Sequence, residues 1–406
     1  MRAKWIMRGL AGAAIGLAVA GTADADSKPI RIMVLNDQTG VSSGASGLGS
    51  VRAAKLAIED FGGSIDGSPV EVIAIDHQTK VDIASAAARK AYDQDGVDAI
   101  FDIANSAASL AVQEIARERG KIVVHVGSAV SDLYGKACSP TGALWLYDTY
   151  SLGRGLTSAV FAEGGTSWYF LTADYAFGKA IETEVSSTLR ALGGQVLGSV
   201  RHPMGTQDFS SFLLQAQGAQ PKVIGLLNTG EDVLNSLKQA QEFGMTGNTK
   251  FATFIFYTQM MKAAGPEIGK GLQYLSGYYW DRDDGSRAFA KRYAAVSNGA
   301  MPSEPNAGVY SAVRHYLRAV QAAKSHDGLT VMRQMKATPL DDFFAPGATI
   351  RADGRLMNDQ YLVEGKGKEE MQRPWDVLKV IRTVKAADII RPIEDGGCTR
   401  LDSPRS

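Results

Sequence analysis

Net charge is missing from this sequence. Its 406 residues include 43 Lys or Arg and 43 Asp or Glu, so the formal charge at pH 7 is zero. The basic residues are scattered rather than clustered, which argues against a nucleic-acid partner. With 45% hydrophobic residues, the chain suits about two or three domains with a substantial core. These features favour small-molecule binding or protein contacts.

Long hydrophobic runs are absent after residue 25, where no segment approaches the ~20 apolar residues of a transmembrane helix. The start of the chain differs. Three basic residues precede the apolar run GLAGAAIGLAVAG, and ADA follows at 23–25 with the small residues that signal peptidase requires. Residues 1–25 are therefore predicted to be a secretory signal that is cleaved after Ala25.

Cysteine is scarce, since only Cys138 and Cys398 occur. In an exported chain, two cysteines more often form a disulfide than stay free. We predict that they pair, which in the chain-entropy model stabilises the fold by a few kcal/mol. The five histidines show no ligand spacing, so metal binding is the weaker interpretation and no metal site is predicted.

The sequence does contain a repeated alternation of short apolar runs with amphipathic stretches. This βαβ pattern predicts parallel sheets with helices on both faces. It occurs twice, on either side of a junction near 146–155, and is followed by a helix-rich stretch at 284–338 and a hairpin that turns at Asp353 and Gly354. Strands are predicted at 30–36, 70–76, 97–103 and 121–127, then at 167–173, 195–202, 222–228 and 250–256; helices are predicted at 47–62, 80–95 and 106–119, then at 177–192, 208–218 and 231–244.

Polar residues follow several predicted strands at their carboxyl ends, where ligands bind in open parallel sheets. Asn105 and Ser106 follow the third strand, GSAVS at 127–131 follows the fourth, and TADYAFG, NTGED and FYTQ follow strands of the second unit. Several of these segments precede a helix, whose N-terminus offers partial positive charge and free N–H donors to an anion. Helix capping alone is the simpler explanation for Asn105 and Ser106.

A nucleotide-dependent enzyme is the main catalytic alternative. GLGSVR lies between a strand and a helix, and Asp76 ends the next strand, which loosely matches the dinucleotide-binding fingerprint. However, Arg52 occupies the place of the third glycine, and about 11 residues separate the strand from Gly47 where a tight turn is needed. The sequence also lacks a P-loop and a G-x-S-x-G motif. No catalytic residue, cofactor or enzymatic activity is predicted.

Six motifs occur in order along residues 28–390, namely DQTG, AAKLAIEDFGG, NSAAS, GSAVSDL, TADYAFG and QAQEFGM. Together they resemble the periplasmic solute-binding proteins of branched-chain amino-acid type ABC transporters. The resemblance implies an α/β, type I periplasmic binding protein fold with two doubly wound lobes joined by three hinge crossovers. It implies lobe 1 at 26–147 plus 280–344, lobe 2 at 148–279 plus 345–385, and a tail at 386–406 that returns to lobe 1.

The resemblance also implies the role and the partners of the chain. We expect a monomer in the periplasm that captures a small-molecule ligand by hinge closure and delivers it to membrane permease and ATPase subunits. In the family, the positions of Ser106, Ser128 and Ala129 hold a ligand carboxylate, Ser46 is at a cleft position, and Tyr175 or Phe177 is near a second-lobe tyrosine. The predicted ligand-binding set is Ser46, Asn105, Ser106, Gly127, Ser128, Ala129, Tyr150, Tyr175, Asn228, Phe254, Tyr279 and Trp280.

One departure from the family bears on the ligand. Amino-acid binders of this family place a carboxylate after the strand that matches KFATFIF, whereas residues 253–257 contain no acid here. A buried ammonium without a counter-charge costs several kcal/mol, so we predict a small organic carboxylate, with aromatic and keto acids as candidates. Glu231 or Asp281 could replace the missing acid, which keeps an amino-acid or short-amide binder open. The remaining alternatives are a ligand-sensing module for a membrane receptor and a secreted enzyme.

Overall fold

The computed structural model describes Met1 and residues 28–247 and 249–399. Apart from Met1, the predicted signal segment lies outside the described residues, and its cleavage stays a prediction. Within the described part of the chain, no helix is both long and apolar enough to cross a membrane.

The first α/β unit comprises β1 (Ile30–Asn36), α1 (Gly47–Phe61), β2 (Ser64–Ile65), β3 (Ser68–Asp76), α2 (Val81–Asp93), β4 (Ala99–Asp102), α3 (Ser106–Glu118), β5 (Ile122–His125) and β6 (Gly142–Leu144). Its sheet has the order β2-β3-β1-β4-β5-β6. The pairs are parallel except for β2 with β3. Strands β4 and β5 are buried along their whole length, as expected for strands with helices on both faces.

The second unit comprises α4 (Thr149–Ala162), β7 (Ser167–Ala173), α5 (Ala176–Ala191), β8 (Gln195–His202), α6 (Ser210–Gly218), β9 (Val223–Leu227), α7 (Glu231–Glu242), β10 (Lys250–Thr253), α8 (Thr258–Ala264), α9 (Pro266–Gly269) and β11 (Gln273–Ser276). Strands β10-β9-β7-β8 form a parallel sheet in that order.

The rest of the chain contributes to both units. It comprises α10 (Asp284–Val296), α11 (Glu304–Ala323), α12 (Gly328–Ala337), β12 (Gln360–Gly365), β13 (Leu378–Val384) and α13 (Ala386–Ile389). Helices α10 and α11 pack on α1, and α12 packs on β5, whereas β12 joins β11 and β13 in an antiparallel sheet beside β10. We call the first sheet with α1–α3 and α10–α12 lobe 1, and the other two sheets with α4–α9 and α13 lobe 2.

The predicted fold class is confirmed, because two wound α/β lobes are connected by passages after β6, after β11 and after α12. The predicted residue boundaries of the lobes stay predictions. Strands β1, β7 and β8 have the predicted bounds. Helix α4 was not predicted, because its glycines and hydroxyl residues look like a linker. The predicted hairpin is reduced to a turn with one bridge between Ile350 and Leu356, since β12 pairs with β11 and β13 instead.

A buried ion pair ties the first and third passages together. Arg355 Nε lies 2.9 Å from Asp148 Oδ2, and both side chains are fully buried. The same arginine donates to the Leu356 carbonyl and to Asn358, while Asp148 caps α4 and accepts from Tyr134. The pair therefore links the passage after β6 to the passage after α12.

The predicted disulfide is confirmed. Cys138 and Cys398 are bonded, with their Cα atoms 5.6 Å apart. Nearby, Arg391 donates to the Ser131 carbonyl at 3.1 Å. The described C-terminal residues are thus fastened to the segment between β5 and β6.

Candidate functional site

A cavity lies between the lobes, where the carboxyl ends of β1, β4 and β5 face those of β7, β9 and β10. Its walls contain hydroxyls, one side-chain amide and aromatic rings. The lobe 1 wall consists of Ser42, Ala45, Ser46, Ala104, Asn105, Ser106, Gly127, Ala129 and Pro305, and the lobe 2 wall consists of Tyr175, Phe177, Thr229, Ile255 and Tyr257.

Helix N-termini converge on this cavity. Ser46, Asn105 and Tyr175 directly precede α1, α3 and α5. The Asn105 side-chain oxygen accepts from the Ala108 N–H at 2.9 Å, so the capping explanation is correct for that atom. First-turn N–H groups have no acceptor within their helix, and Ser106 is the first residue of α3. The positive helix ends therefore favour an anion in the cavity.

The loop that presents Asn105 leaves β4 through an unusual backbone. Asp102 and Ile103 have φ angles of 82° and 57°, values that are costly for residues other than glycine. Asn36 donates to Asp102 Oδ2 at 2.9 Å and so braces the turn from inside the lobe. Burial raises the pKa of Asp102 to about 6. This carboxyl lies behind the cavity wall, because a Cβ at Gly127 would meet its Oδ1 at 2.8 Å.

The lobe 2 wall presents phenol rings. Tyr175 and Phe177 have ring centroids 5.9 Å apart, and the Tyr257 hydroxyl is hydrogen-bonded to Tyr147. Burial raises the pKa of Tyr175 and of Tyr257 far above neutral pH. Both phenols are therefore uncharged and can donate or accept hydrogen bonds.

A second cavity adjoins the first and shares Ser42, Ala104, Asn105, Tyr175 and Thr229 with it. Its further lining residues are Val41, Thr79, Met204 and Asp232. Only Asp232 is charged among the described residues that line the two cavities.

Asp232 is the second residue of α7 and is 2% exposed. Its Oδ2 accepts from the Gly205 N–H at 3.1 Å, whereas its Oδ1 has no hydrogen-bond partner. Burial raises its pKa to about 6, although the nearby backbone N–H groups of Gly205 and Thr206 lower it. A carboxylate at neutral pH with one unpaired oxygen therefore faces the second cavity.

Six of the predicted site residues come together at the first cavity, and six line neither cavity. The first group is Ser46, Asn105, Ser106, Gly127, Ala129 and Tyr175. The second group is Ser128, Tyr150, Asn228, Phe254, Tyr279 and Trp280. The ligand contacts of both groups stay predictions.

Three members of the second group lie next to lining residues. Ser128 is buried between Gly127 and Ala129, and its hydroxyl has no hydrogen-bond partner. Asn228 is hydrogen-bonded to His202 at 3.1 Å, and Phe254 packs on Trp168 in the core. Their chain neighbours Thr229 and Ile255 line the cavity instead.

The other three members contact residues near the passages between the lobes. The Tyr150 ring lies under the Arg391 guanidinium, with 5.9 Å between that group and the ring centroid. Tyr279 contacts Trp280, and Trp280 Nε1 donates to the Trp375 carbonyl at 3.1 Å. These aromatic residues pack around the connections between the lobes.

The two acids considered as replacements do not line either cavity. Glu231 is exposed, and Asp281 forms ion pairs with Arg287 and Arg373. The sequence did not point to Asp232, although its place one residue after Glu231, on the buried face of α7 with Ser236, is a helical-period signal. In the described chain, no group of three or more His, Cys, Asp or Glu residues is arranged to hold a metal ion.

The fold and the cavity between its lobes define a two-lobed solute-binding architecture. A family model described as "Periplasmic binding protein" matches residues 29–370. The chain therefore belongs to the periplasmic binding protein family, and the resemblance seen in its motifs is confirmed. A comparison with curated protein sequences returned no match.

Solved structures show the same relationship. A periplasmic binding protein of Burkholderia mallei is 41% identical, with a TM-score of 0.89, and the alignment covers 92% of this chain and 99% of that one. A branched-chain amino-acid ABC transporter periplasmic ligand-binding protein of Burkholderia xenovorans LB400 is 37% identical, with a TM-score of 0.82 and coverage of 92% and 100%. The chain is accordingly a solute-binding protein of the ABC transporter type.

Proposed function

We propose that this protein captures a small organic carboxylate between its lobes and delivers it to the permease and ATPase subunits of an ABC importer. The observation that carries this proposal is the convergence of helix N-termini and Ser106 on a cavity without charged lining residues. A carboxylate there gains N–H and O–H donors and favourable helix dipoles. An ammonium in the same place would have no counter-charge.

The chemistry of the lobe 2 wall narrows the class of carboxylate. Tyr175 and Phe177 offer ring surface beside the polar groups of lobe 1, and such walls suit aromatic or apolar acids. Two R. palustris solute-binding proteins with the same fold, 19% and 18% identical to this chain, were crystallised with benzoate and with 4-hydroxybenzoate. We therefore place aromatic acids first and aliphatic or keto acids second.

Hinge closure is the proposed working motion. The Val41 carbonyl of lobe 1 lies so close to Gly230 of lobe 2 that a Cβ at Gly230 would meet its oxygen at 2.2 Å. The Tyr147–Tyr257 hydrogen bond also joins the two sides of the cavity. A ligand held by both walls would stabilise this closed arrangement over an open one. The protein would act as a monomer in the periplasm after cleavage at Ala25.

An amino-acid binder is the second candidate. It is favoured by Asp232, whose buried carboxylate adjoins the first cavity, and by the Burkholderia xenovorans relative, a branched-chain amino-acid ABC transporter protein. Leucine and other branched amino acids therefore belong in the same ligand screen.

The test begins with thermal shifts for aromatic, aliphatic and keto acids, amino acids and short amides, because a ligand of the native state raises the melting temperature. The tightest carboxylate is then titrated calorimetrically into wild type and two variants. Ser106→Ala should weaken binding by about 1–3 kcal/mol, the value of a hydrogen bond to a charged group. Ser210→Ala, at the first residue of α6 and outside both cavities, is the matched control and should bind normally.

Either of two results would contradict the proposal. One is a screen in which no carboxylate raises the melting temperature. The other is unchanged affinity in Ser106→Ala, which would remove the start of α3 from the ligand site.

A further inference from the structure

We propose that the second cavity receives the far end of the ligand, and that Asp232 accepts a hydrogen bond there from a hydroxyl or ammonium group. The inference rests on the proposed carboxylate function and names a narrower ligand class. The ligand would carry its carboxylate at one end and a hydrogen-bond donor at the other.

The two cavities are arranged so that one ligand can occupy both. Asn105, Tyr175 and Thr229 line each of them, so these residues border a common space. Ser106, Gly127 and Ala129 line only the first cavity, whereas Asp232 lines only the second. The proposed anion-holding groups and the carboxylate thus lie at opposite ends.

The second cavity contains acceptors that lack partners. Asp232 Oδ1 and Thr79 Oγ1 are both buried atoms without a hydrogen bond. An unsatisfied buried polar atom destabilises the fold, and more so when it is charged. No lysine or arginine lines this cavity to compensate Asp232. A donor on the ligand would supply the missing partner.

Asp232 would also set the direction in which the ligand enters. The ligand carboxylate would be repelled by the Asp232 carboxylate and attracted by the starts of α1 and α3. An acid without a far-end donor would leave Oδ1 unpaired in the closed form. Asp232 therefore selects for acids that carry a far-end donor and against acids that lack one.

The experiment compares two sets of ligands that differ only in the far-end group. The first set is benzoate, 4-hydroxybenzoate and 4-(aminomethyl)benzoate, and the second is pentanoate, 5-hydroxypentanoate and 5-aminopentanoate. Affinities are measured by calorimetry on the exported chain with its disulfide intact. In at least one set, a donor-bearing compound should bind at least tenfold tighter than its parent acid.

Asp232→Asn tests the residue itself. The Gly205 N–H requires an acceptor on its side, so the asparagine NH2 group would face the cavity and oppose another donor. The ammonium compounds should lose tenfold or more, and the hydroxyl compounds less because a hydroxyl can also accept. The parent acids should bind as tightly or more tightly, because the charge that repels their carboxylate is gone. Glu231→Gln, an exposed change of equal charge on the same turn, should leave all affinities unchanged.

The outcomes separate the inference from the function on which it rests. If acids bind without regard to the far-end group, or if Asp232→Asn changes parent and donor compounds equally, the inference is overturned and the carboxylate function stands. If none of the six acids binds, the carboxylate function itself is contradicted. Should Asp232→Asn fail to fold, the wild-type affinities within each set decide the question.

Discussion

The two walls of the cavity are built in different ways. The lobe 1 wall consists of small side chains at helix starts, and its loop leaves β4 through two residues with positive φ that Asn36 braces. The lobe 2 wall consists of larger side chains, with Tyr175, Phe177 and Tyr257 in the first cavity and Asp232 in the second. Lobe 1 therefore offers backbone donors in fixed positions, and lobe 2 offers ring surface and one acid.

This difference suggests a division of tasks between the lobes. Helix dipoles and N–H groups recognise any carboxylate, because they contact only the charged group. Ring shape and the Asp232 acceptor contact the rest of the ligand and so distinguish one acid from another. We expect substitutions in lobe 1 to weaken all ligands alike, and substitutions in lobe 2 to change their ranking.

The largest effect is expected at the buried ion pair of Arg355 with Asp148, which links two of the passages between the lobes. Arg355→Met leaves the Asp148 carboxylate buried without its partner, which should lower the free energy of unfolding by about 3–5 kcal/mol. Urea unfolding measures the change. The control is Arg287→Met. Its partner Asp284 is fully exposed, and its second partner Asp281 keeps an ion pair with Arg373, so the variant should cost about 0–1 kcal/mol. Equal effects of the two variants would show that the buried pair does not hold the lobes together.

A pH-dependent effect is expected at Glu304, which extends from α11 of lobe 1 to residues of lobe 2. It accepts from Ser276 at 3.1 Å and from Thr258 and Tyr274 at up to 3.5 Å. Burial raises its pKa from the usual 4.5 to about 7, although these hydrogen bonds lower it. The folded state therefore retains a proton that the unfolded state has lost, and the stability from this group falls as pH rises from 4.5 through 7.

Glu304→Gln should remove this dependence. Since one pKa unit is worth about 1.4 kcal/mol, the variant should gain up to about 3 kcal/mol relative to wild type between pH 4.5 and pH 8. Urea unfolding at both pH values gives the difference, and Asp102 and Asp232 cancel because they are present in both proteins. A parallel pH dependence in the two proteins would mean that Glu304 stays ionised between the lobes.

The smallest of the three effects is expected at the contact of Gly230 in lobe 2 with the Val41 carbonyl in lobe 1. Gly230→Ala places a Cβ 2.2 Å from the Val41 carbonyl oxygen, whereas at Gly244, at the other end of α7, nothing lies within 4 Å. Both glycines have positive φ, 63° and 66°, so an alanine strains the backbone in both variants. Only Gly230→Ala should hinder closure and weaken ligand binding, by about tenfold or 1.4 kcal/mol. Equal affinities of the two variants would remove this contact from the closing motion.

Much of the fold could be predicted from the sequence because apolar runs of strand length alternate with helical patterns. The sheet edges were less predictable, since β12 pairs with strands far away in the chain. The Arg355 pair was also missed, because the RADGR segment looks like a turn and nothing nearby indicates that Asp148 lies opposite. Pairing over long distances in the chain leaves no periodic signal.

Six of the twelve predicted site residues line the first cavity. Whether a residue could be predicted depends on where it lies relative to the end of its strand. Residues at the start of a helix, such as Asn105 and Ser106, are placed by the end of the preceding strand. Where the chain bends just after a strand, the sequence does not show which of two neighbours faces the cavity. Ile255 lines the wall, whereas the predicted residue Phe254 packs on Trp168. The sequence points to Glu231 and not to its neighbour Asp232, because the face of α7 that turns inward depends on how the helix packs.

A crystal structure of the protein with its tightest-binding carboxylate would show whether both lobes hold the ligand in the proposed orientation. We predict that the carboxylate oxygens lie about 3 Å from donors at the start of α3, with the rest of the ligand against Tyr175 and its far end toward Asp232. A ligand bound outside the two cavities, or one whose carboxylate points toward Asp232, would contradict it.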